Sequence, residues 1–428
     1  MDLHRKIDSL VAAPPEPPLV VEHREQLIYL LRQASELEHA IMCEYLFAAF
    51  SLKQRVNEGL TADQKTAVDR WRKVVLEVAK QEMLHFALVQ NLLTSVGAAP
   101  YLSRPDLPTP PGHFPPGMRI RLIPFGEPAL RHFLYLERPE GMALDDPEAA
   151  AAVARAAAIV DETDIVPRSQ SFETVGHLYR AIDVGFAWLT SKLGAERLFV
   201  GPPSAQATPE SFGWKELTPV TSLDSAHAAI DTIVEQGEGA TGEWRTAHFG
   251  RFLDVFDEFM AMKAADPAFE PARPALAGRS RDADSANEPV ISDPVTAKVA
   301  DLFNVANEAI LLTLARYFAS TDETAEQRAT LADVAVELMF GAIKPIGQLL
   351  TQMPFGPTHP GRTAGPTFEL FYRSGYLLPH RAAAWSLIAE RLRQAATFAR
   401  SIEGAPGTVL PKVAGALETF AGRLEPPA

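Results

Sequence analysis

The residues most able to do chemistry are Glu82 and His85, three apart in a run where Trp71, Val75, Val78, Val89 and Leu92 share their helical stripe. A carboxylate and an imidazole at that spacing point the same way and can grip one ion, or bind one and bridge to a second. An upstream run repeats the pattern, with Leu31, Ala34, Glu38, Ile41, Met42 and Tyr45 on one stripe. A carboxylate on an apolar stripe is expensive unless it is paired, protonated or bound to metal. The competing reading is a buried ion pair. Glu36, His39 and Glu44 lie roughly 100° or more off the stripe and read as a solvated face, and Glu77 on the second run also reads as surface.

Further candidates lie downstream. In IDTIVEQGEG, Asp231, Glu235 and Glu238 follow at intervals of four and three, with Ile230, Ile233 and Val234 beside them. Glu235, and with it Glu238, is a candidate for the second half of a metal site; an acidic face in water is the alternative. His248, in WRTAHFGRF, could turn toward Glu235, or be a satisfied core histidine between Phe249 and Phe252. His177, two residues before Tyr179, is a further candidate ligand. Carboxylates and imidazole suit iron, with manganese as the alternative, and leave open positions for oxygen or peroxide. Redox chemistry follows more naturally than hydrolysis. The sequence carries no phosphate loop, dinucleotide fingerprint, nucleophile elbow or His-Glu-x-x-His.

The elements that must position these residues are helices. Apolar periodicity predicts one helix from Arg24 to about Lys53 and another from Ala62 to Val96, closed by Gly97 and joined by a turn at Asn57–Thr61. Residues 98–117 are too rich in proline for regular structure. A β-like run, Met118–Pro124, precedes helices expected over Pro128–Leu136, Asp146–Val160, Phe172–Leu193, Ser222–Gly237 and Glu243–Lys263. Residues 266–294 read as a linker or mobile loop. A second helical set follows at Val295–Ser320, Ala325–Met353, Leu378–Ile402 and Lys412–Arg423. The expected organisation is an extension over 1–23, a bundle over 24–265, the linker, and a C-terminal helical region over 295–428 packing on the bundle.

With 428 residues and 47% hydrophobic content, the chain can bury several cores. Its net charge of −14 repels phosphate backbones and anionic lipid heads, so neither nucleic acid nor a membrane is an expected partner. A single cysteine, Cys43, excludes an intramolecular disulfide and a cysteine-built metal site, and fits a cytoplasmic setting. No apolar run reaches membrane-spanning length, and the N-terminal run is too short for a signal peptide.

On these residues the chain resembles the ferritin-like superfamily: Glu38 with Tyr45, then Glu82-x-x-His85, is similar to the first half of the ferritin and rubrerythrin dimetal motif. LRQASELEHAIMCEYLFAAFSL, EVAKQEMLHFALVQNLLTSVG, IDTIVEQGEG with HFGRF, and GPTHPGRTAGPTFELFYR resemble one branch, the ferritin-like proteins related to the iminophenylpyruvate dimer synthase of violacein biosynthesis. The resemblance spans about residues 24–400. It implies a mainly α fold: a ferritin-like four-helix bundle with long inserted loops and an additional C-terminal helical region. It also implies Glu38, Glu82 and His85 as ligands, completed by Glu235 and by Glu238 or His248. Members of the branch often carry Glu where this chain has His177, which makes His177 a substituted ligand or leaves the second position incomplete.

The expected activity is that of a metal-dependent oxidoreductase with one or two iron ions, using oxygen or peroxide on a small organic substrate such as an amino-acid-derived imine or amine. Tyr45 would tune the metal without binding it. Two alternatives stay open: iron oxidation or peroxide removal without an organic substrate, and a non-catalytic scaffold whose Glu and His residues form a buried polar network. Self-association into a homo-oligomer is compatible with either.

Overall fold

The computed structural model describes residues 19–110, 112–114, 118–142, 166–167, 170, 172–239, 244–281, 288–319, 322–371 and 380–425. The helix expected over Asp146–Val160 lies outside them.

Helices α1 (Arg24–Ser51) and α2 (Ala62–Ser95) form the long pair expected from their stripes. A 3-10 turn, Val56–Glu58, and left-handed Gly59 reverse the chain between them. The start of α2 is set by Thr61, whose hydroxyl accepts from Gln64 N while the Gln64 side chain accepts from Thr61 N, so two orphan donors are satisfied at once. α4 (Val175–Leu193) packs on α1, and α5 (Leu223–Gly237) packs on α4 and α2, closing a four-helix bundle. The shorter α3 (Glu127–Leu136) packs against α6 (His248–Ala265), which also reaches α2.

Beyond the bundle, α7 (Pro294–Ala319) packs on α8 (Ala325–Leu338) and α10 (Arg381–Ser401), while α11 (Val409–Arg423) packs on both α8 and α10. Together they make a second helical group. The single helix expected over Ala325–Met353 is interrupted by a π turn, Met339–Ile343, before α9 (Lys344–Leu350). Pro345 supplies the reason: without an N–H it cannot bond the Gly341 carbonyl, and the ladder shifts.

Among the described residues there is no strand, only isolated bridges. The run from Met118 is extended, with Met118, Ile120 and Leu122 buried alternately, but among the described residues its only backbone-to-backbone hydrogen bond is to a loop, from Thr109 N to Ile120 O at 3.0 Å. Nor does the segment after α6 hang free. Arg273 N bonds Ser51 O at 2.9 Å, and the buried Arg273 guanidinium reaches the carbonyls of Phe50 and Leu52 and the Glu58 carboxylate.

α1 is buried almost all round, because the bundle covers one side and the proline-rich segment and α9 cover the other. A Cβ on Gly347 would sit 2.6 Å from the Phe50 ring, so α9 rides directly on α1. This overturns the solvated face expected for Glu36, His39 and Glu44. Glu36 accepts from Tyr101 Oη and His113 Nε2, both at 2.7 Å; His39 packs on Phe86; Glu44, 0% exposed, lies 3.6 Å from His132. Glu77 is exposed as expected. No helix among the described residues is long and apolar enough to cross a membrane.

Candidate metal centre

Five buried side chains from four elements converge: Glu38 of α1, Glu82 and His85 of α2, Glu137 just past α3, and His248 opening α6. α3 ends there because Arg138 precedes Pro139, which disfavours helical backbone. His248 is aimed by a 3-10 turn, Trp244–Thr246, that folds back over α6. Only glycine fits at position 250, where a Cβ would come within 2.1 Å of Arg245 O.

The ligand atoms form two sets, Glu38 with Glu82 and His85, and Glu82 with Glu137 and His248; within each set they lie within 4.8 Å of one another. Glu82 belongs to both. Its Oε2 is 2.9 Å from His85 Nδ1 and its Oε1 is 2.9 Å from His248 Nδ1. The outer carboxylates stand slightly further off, with Glu38 Oε2 3.6 Å from His85 Nδ1 and Glu137 Oε2 3.5 Å from His248 Nδ1. Each outer carboxylate has its other oxygen tied by a buried phenol: Tyr179 donates to Glu38 Oε1 at 2.5 Å, and Tyr45 donates to Glu137 Oε1.

The electrostatics are those of a charged cluster removed from water. Burial, then the Glu82 charge, pushes Glu38 up to about 8. Burial alone would raise Glu82, but His85 and His248 hold it well below the usual carboxylate range. Burial alone would likewise lower His85, yet Glu82 and Glu38 outweigh it and push the imidazole up to about 10; Glu82 and Glu137 raise His248 in the same way. Burial lifts both phenols, Tyr45 and Tyr179, well above their ordinary value, so they act as donors.

The residues fit a metal. Glu82 Oε1 and His248 Nδ1 are both buried and stand 2.9 Å apart, yet their geometry is not that of a hydrogen bond to each other or to any other group. Buried polar atoms normally find partners. Two ligand atoms left facing each other in this way, beside the His85–Glu82 hydrogen bond, are what an ion between them would satisfy.

The other candidate residues do not join these sets. Glu235 is exposed, and its neighbour Gln236 turns inward, with Oε1 3.1 Å from His85 Nε2. One position is roughly 100° of helix, which suffices to reverse the face. Glu238 is the C-cap of α5 and accepts from Glu140 N at 2.9 Å. Burial pushes it up to about 7. His177 is buried in the first turn of α4, outside both sets. Glu137, not singled out by the sequence pattern, joins the second set instead. It shares a stripe with Leu130 and Phe133, the same sign that marked Glu38, but falls one residue beyond its helix.

Beside Glu137 lies a cavity of about 20 Å³ lined also by Tyr179, Gly176 and Glu238. That holds about one water-sized molecule. Glu238 Oε1 rests so close to Gly176 that a Cβ there would stand 1.9 Å from it.

A mainly helical chain whose bundle interior gathers carboxylates and imidazoles defines a class, and the chain belongs to the Ferritin-like family, whose model matches residues 31–257. The relatives it matches bear out the branch resemblance. Dichlorochromopyrrolate synthase of Lentzea aerocolonigenes is 27% identical over 426 residues, covering 91% of this chain and 40% of that protein. The 2-imino-3-(indol-3-yl)propanoate dimerase of Chromobacterium violaceum is 30% identical over 385 residues, covering 83% of this chain and 35% of that protein. The chain thus spans less than half the length of either. A solved ferritin-like protein from Caulobacter vibrioides matches 76% of this chain and 99% of its own at 20% identity, with a TM-score of 0.45.

Proposed function

We propose that the chain is an oxidoreductase with two iron ions, manganese being the alternative metal, that uses oxygen or peroxide on an amino-acid-derived imine or amine. The observation that carries this is the double set sharing Glu82. Glu38, Glu82 and His85 would hold one ion, and Glu82, Glu137 and His248 the other. Bound there, iron supplies one- and two-electron oxidation by the oxidant.

The protein's own contribution is charge and orientation. Three carboxylates against two divalent ions would leave one net positive charge, which favours an anionic group of the substrate or oxidant beside them. Tyr179 and Tyr45 fix one oxygen of each outer carboxylate, leaving the other free to face its imidazole. Burial keeps bulk water out. The name of the Chromobacterium violaceum relative supplies the substrate class, a 2-imino acid with an indole side chain.

The test is metal analysis of protein purified from iron-supplemented cells. Wild type should hold two ions per chain, and Glu38→Ala, His85→Ala and His248→Ala fewer; equal low content in all four would overturn the reading. Oxygen uptake should then depend on added 2-imino-3-(indol-3-yl)propanoate. The water-sized cavity favours a second reading, iron oxidation or peroxide removal alone. Iron-dependent uptake with no organic compound present would select that one.

A further inference from the structure

Both histidines present the same nitrogen to the carboxylates and the same nitrogen to a glutamine. His85 turns Nδ1 to Glu82 and Glu38, and Nε2 to Gln236 Oε1 at 3.1 Å. His248 turns Nδ1 to Glu82 and Glu137, and Nε2 to Gln81 Oε1 at 3.3 Å. A carbonyl oxygen only accepts, so the nitrogen facing it must carry the hydrogen. In a neutral imidazole that leaves the lone pair on Nδ1, aimed between the carboxylates.

The Gln81 amide is itself held. Arg251 Nη1 donates to the same Oε1 at 2.6 Å, while Arg251 Nη2 reaches Glu77 Oε2 at 3.1 Å. A guanidinium has five donors and no acceptor, so it fixes the amide with its oxygen toward His248 and its NH2 away. Glu77, exposed on α2, anchors this outer arm, and Gln81 directly precedes Glu82 on the same helix.

We propose that Gln236 and Gln81 are positioning residues, one per ion, which set the two histidines to the tautomer that binds through Nδ1. The inference rests on the two-ion reading. Partners of this kind are worth about 10–100-fold in metal affinity.

The experiment is a titration of metal-free protein with Co²⁺, followed by its absorption, with paramagnetic proton spectra of the loaded protein. Wild type should take up two ions and show two exchangeable, strongly shifted imidazole N–H signals. Gln236→Leu should weaken one binding step about 10–100-fold and remove one signal, and Gln81→Leu the other step and the other signal. Gln81→Glu should restore the second step, because a carboxylate also accepts from Nε2–H and pairs with Arg251. The inference is overturned if the Leu variants bind both ions as wild type does, or if each weakens both steps equally, as general loosening would. A wild type that takes up no cobalt overturns the two-ion reading itself, and is read from a different sample.

Discussion

At the residue scale, the centre makes opposite demands on the metal-free and loaded protein. Glu38 has a folded value of about 8 against an ordinary 4.5, so its contribution to stability is fully present below about pH 4.5 and is lost as pH rises through 8. Glu82 is depressed, so its contribution is present above its ordinary value and lost in acid. The metal-free protein should therefore melt at lower temperature at pH 8 than at pH 5. Glu38→Gln, which keeps the Tyr179 hydrogen bond and removes the charge, should raise the melting temperature at pH 8 and change it little at pH 5; an equal change at both would refute this. Glu137→Ala should cut metal content from two ions to one, whereas Glu235→Ala should leave it unchanged, as metal analysis of the two variants would show. Sequence alone picked out Glu38, Glu82 and His85, because an acidic or basic group on an apolar stripe stands out. It put the α5 candidate ligand at Glu235, whereas the residue of α5 that turns inward is Gln236, since near a helix end few apolar residues remain to fix the phase. Glu137 escaped because it follows its helix and is brought to the site by tertiary packing.

At the element scale, helix boundaries set by capping residues and glycines were legible, and features created by two elements meeting were not. Thr61 with Gln64 and the close of α2 at Gly97 could be read directly. The burial of Glu44 and His39 could not, because an all-round buried helix and an amphipathic one differ only in what lies against the second face. Two glycines mark such meetings. Gly347→Ala places a methyl 2.6 Å from Phe50 and should cost about 1–3 kcal/mol, read as a lowered midpoint in denaturant with unchanged metal content. Gly176→Ala should push Glu238 out of its seat beside the cavity. Its effect on the rate of cobalt uptake should resemble that of Glu238→Ala, and the double variant should be no worse than either single one.

At the scale of the whole molecule, the two helical groups share α1 and are joined through buried and half-buried polar contacts. Arg104 Nη2 donates to Phe368 O at 2.7 Å, and Leu370 N donates to Asp106 Oδ1 at 3.0 Å. Thermal unfolding should accordingly be a single transition by calorimetry. A chain cut after Ala265 should be poorly soluble, because the Phe50 end of α1 would lose the cover of α9; two separated transitions, or a soluble and cooperative fragment, would refute the shared core.

The contact between α1 and the α9 region also carries a consequence for biosynthesis. Thr351 Oγ1 bonds Phe50 O across 301 residues of chain. At about 5–20 residues per second, the ribosome needs roughly 15–60 s to deliver that partner after α1 has emerged. Throughout that interval the Phe50 end of α1 waits without its mate, so this end of the helix is the segment on which a nascent-chain chaperone would act.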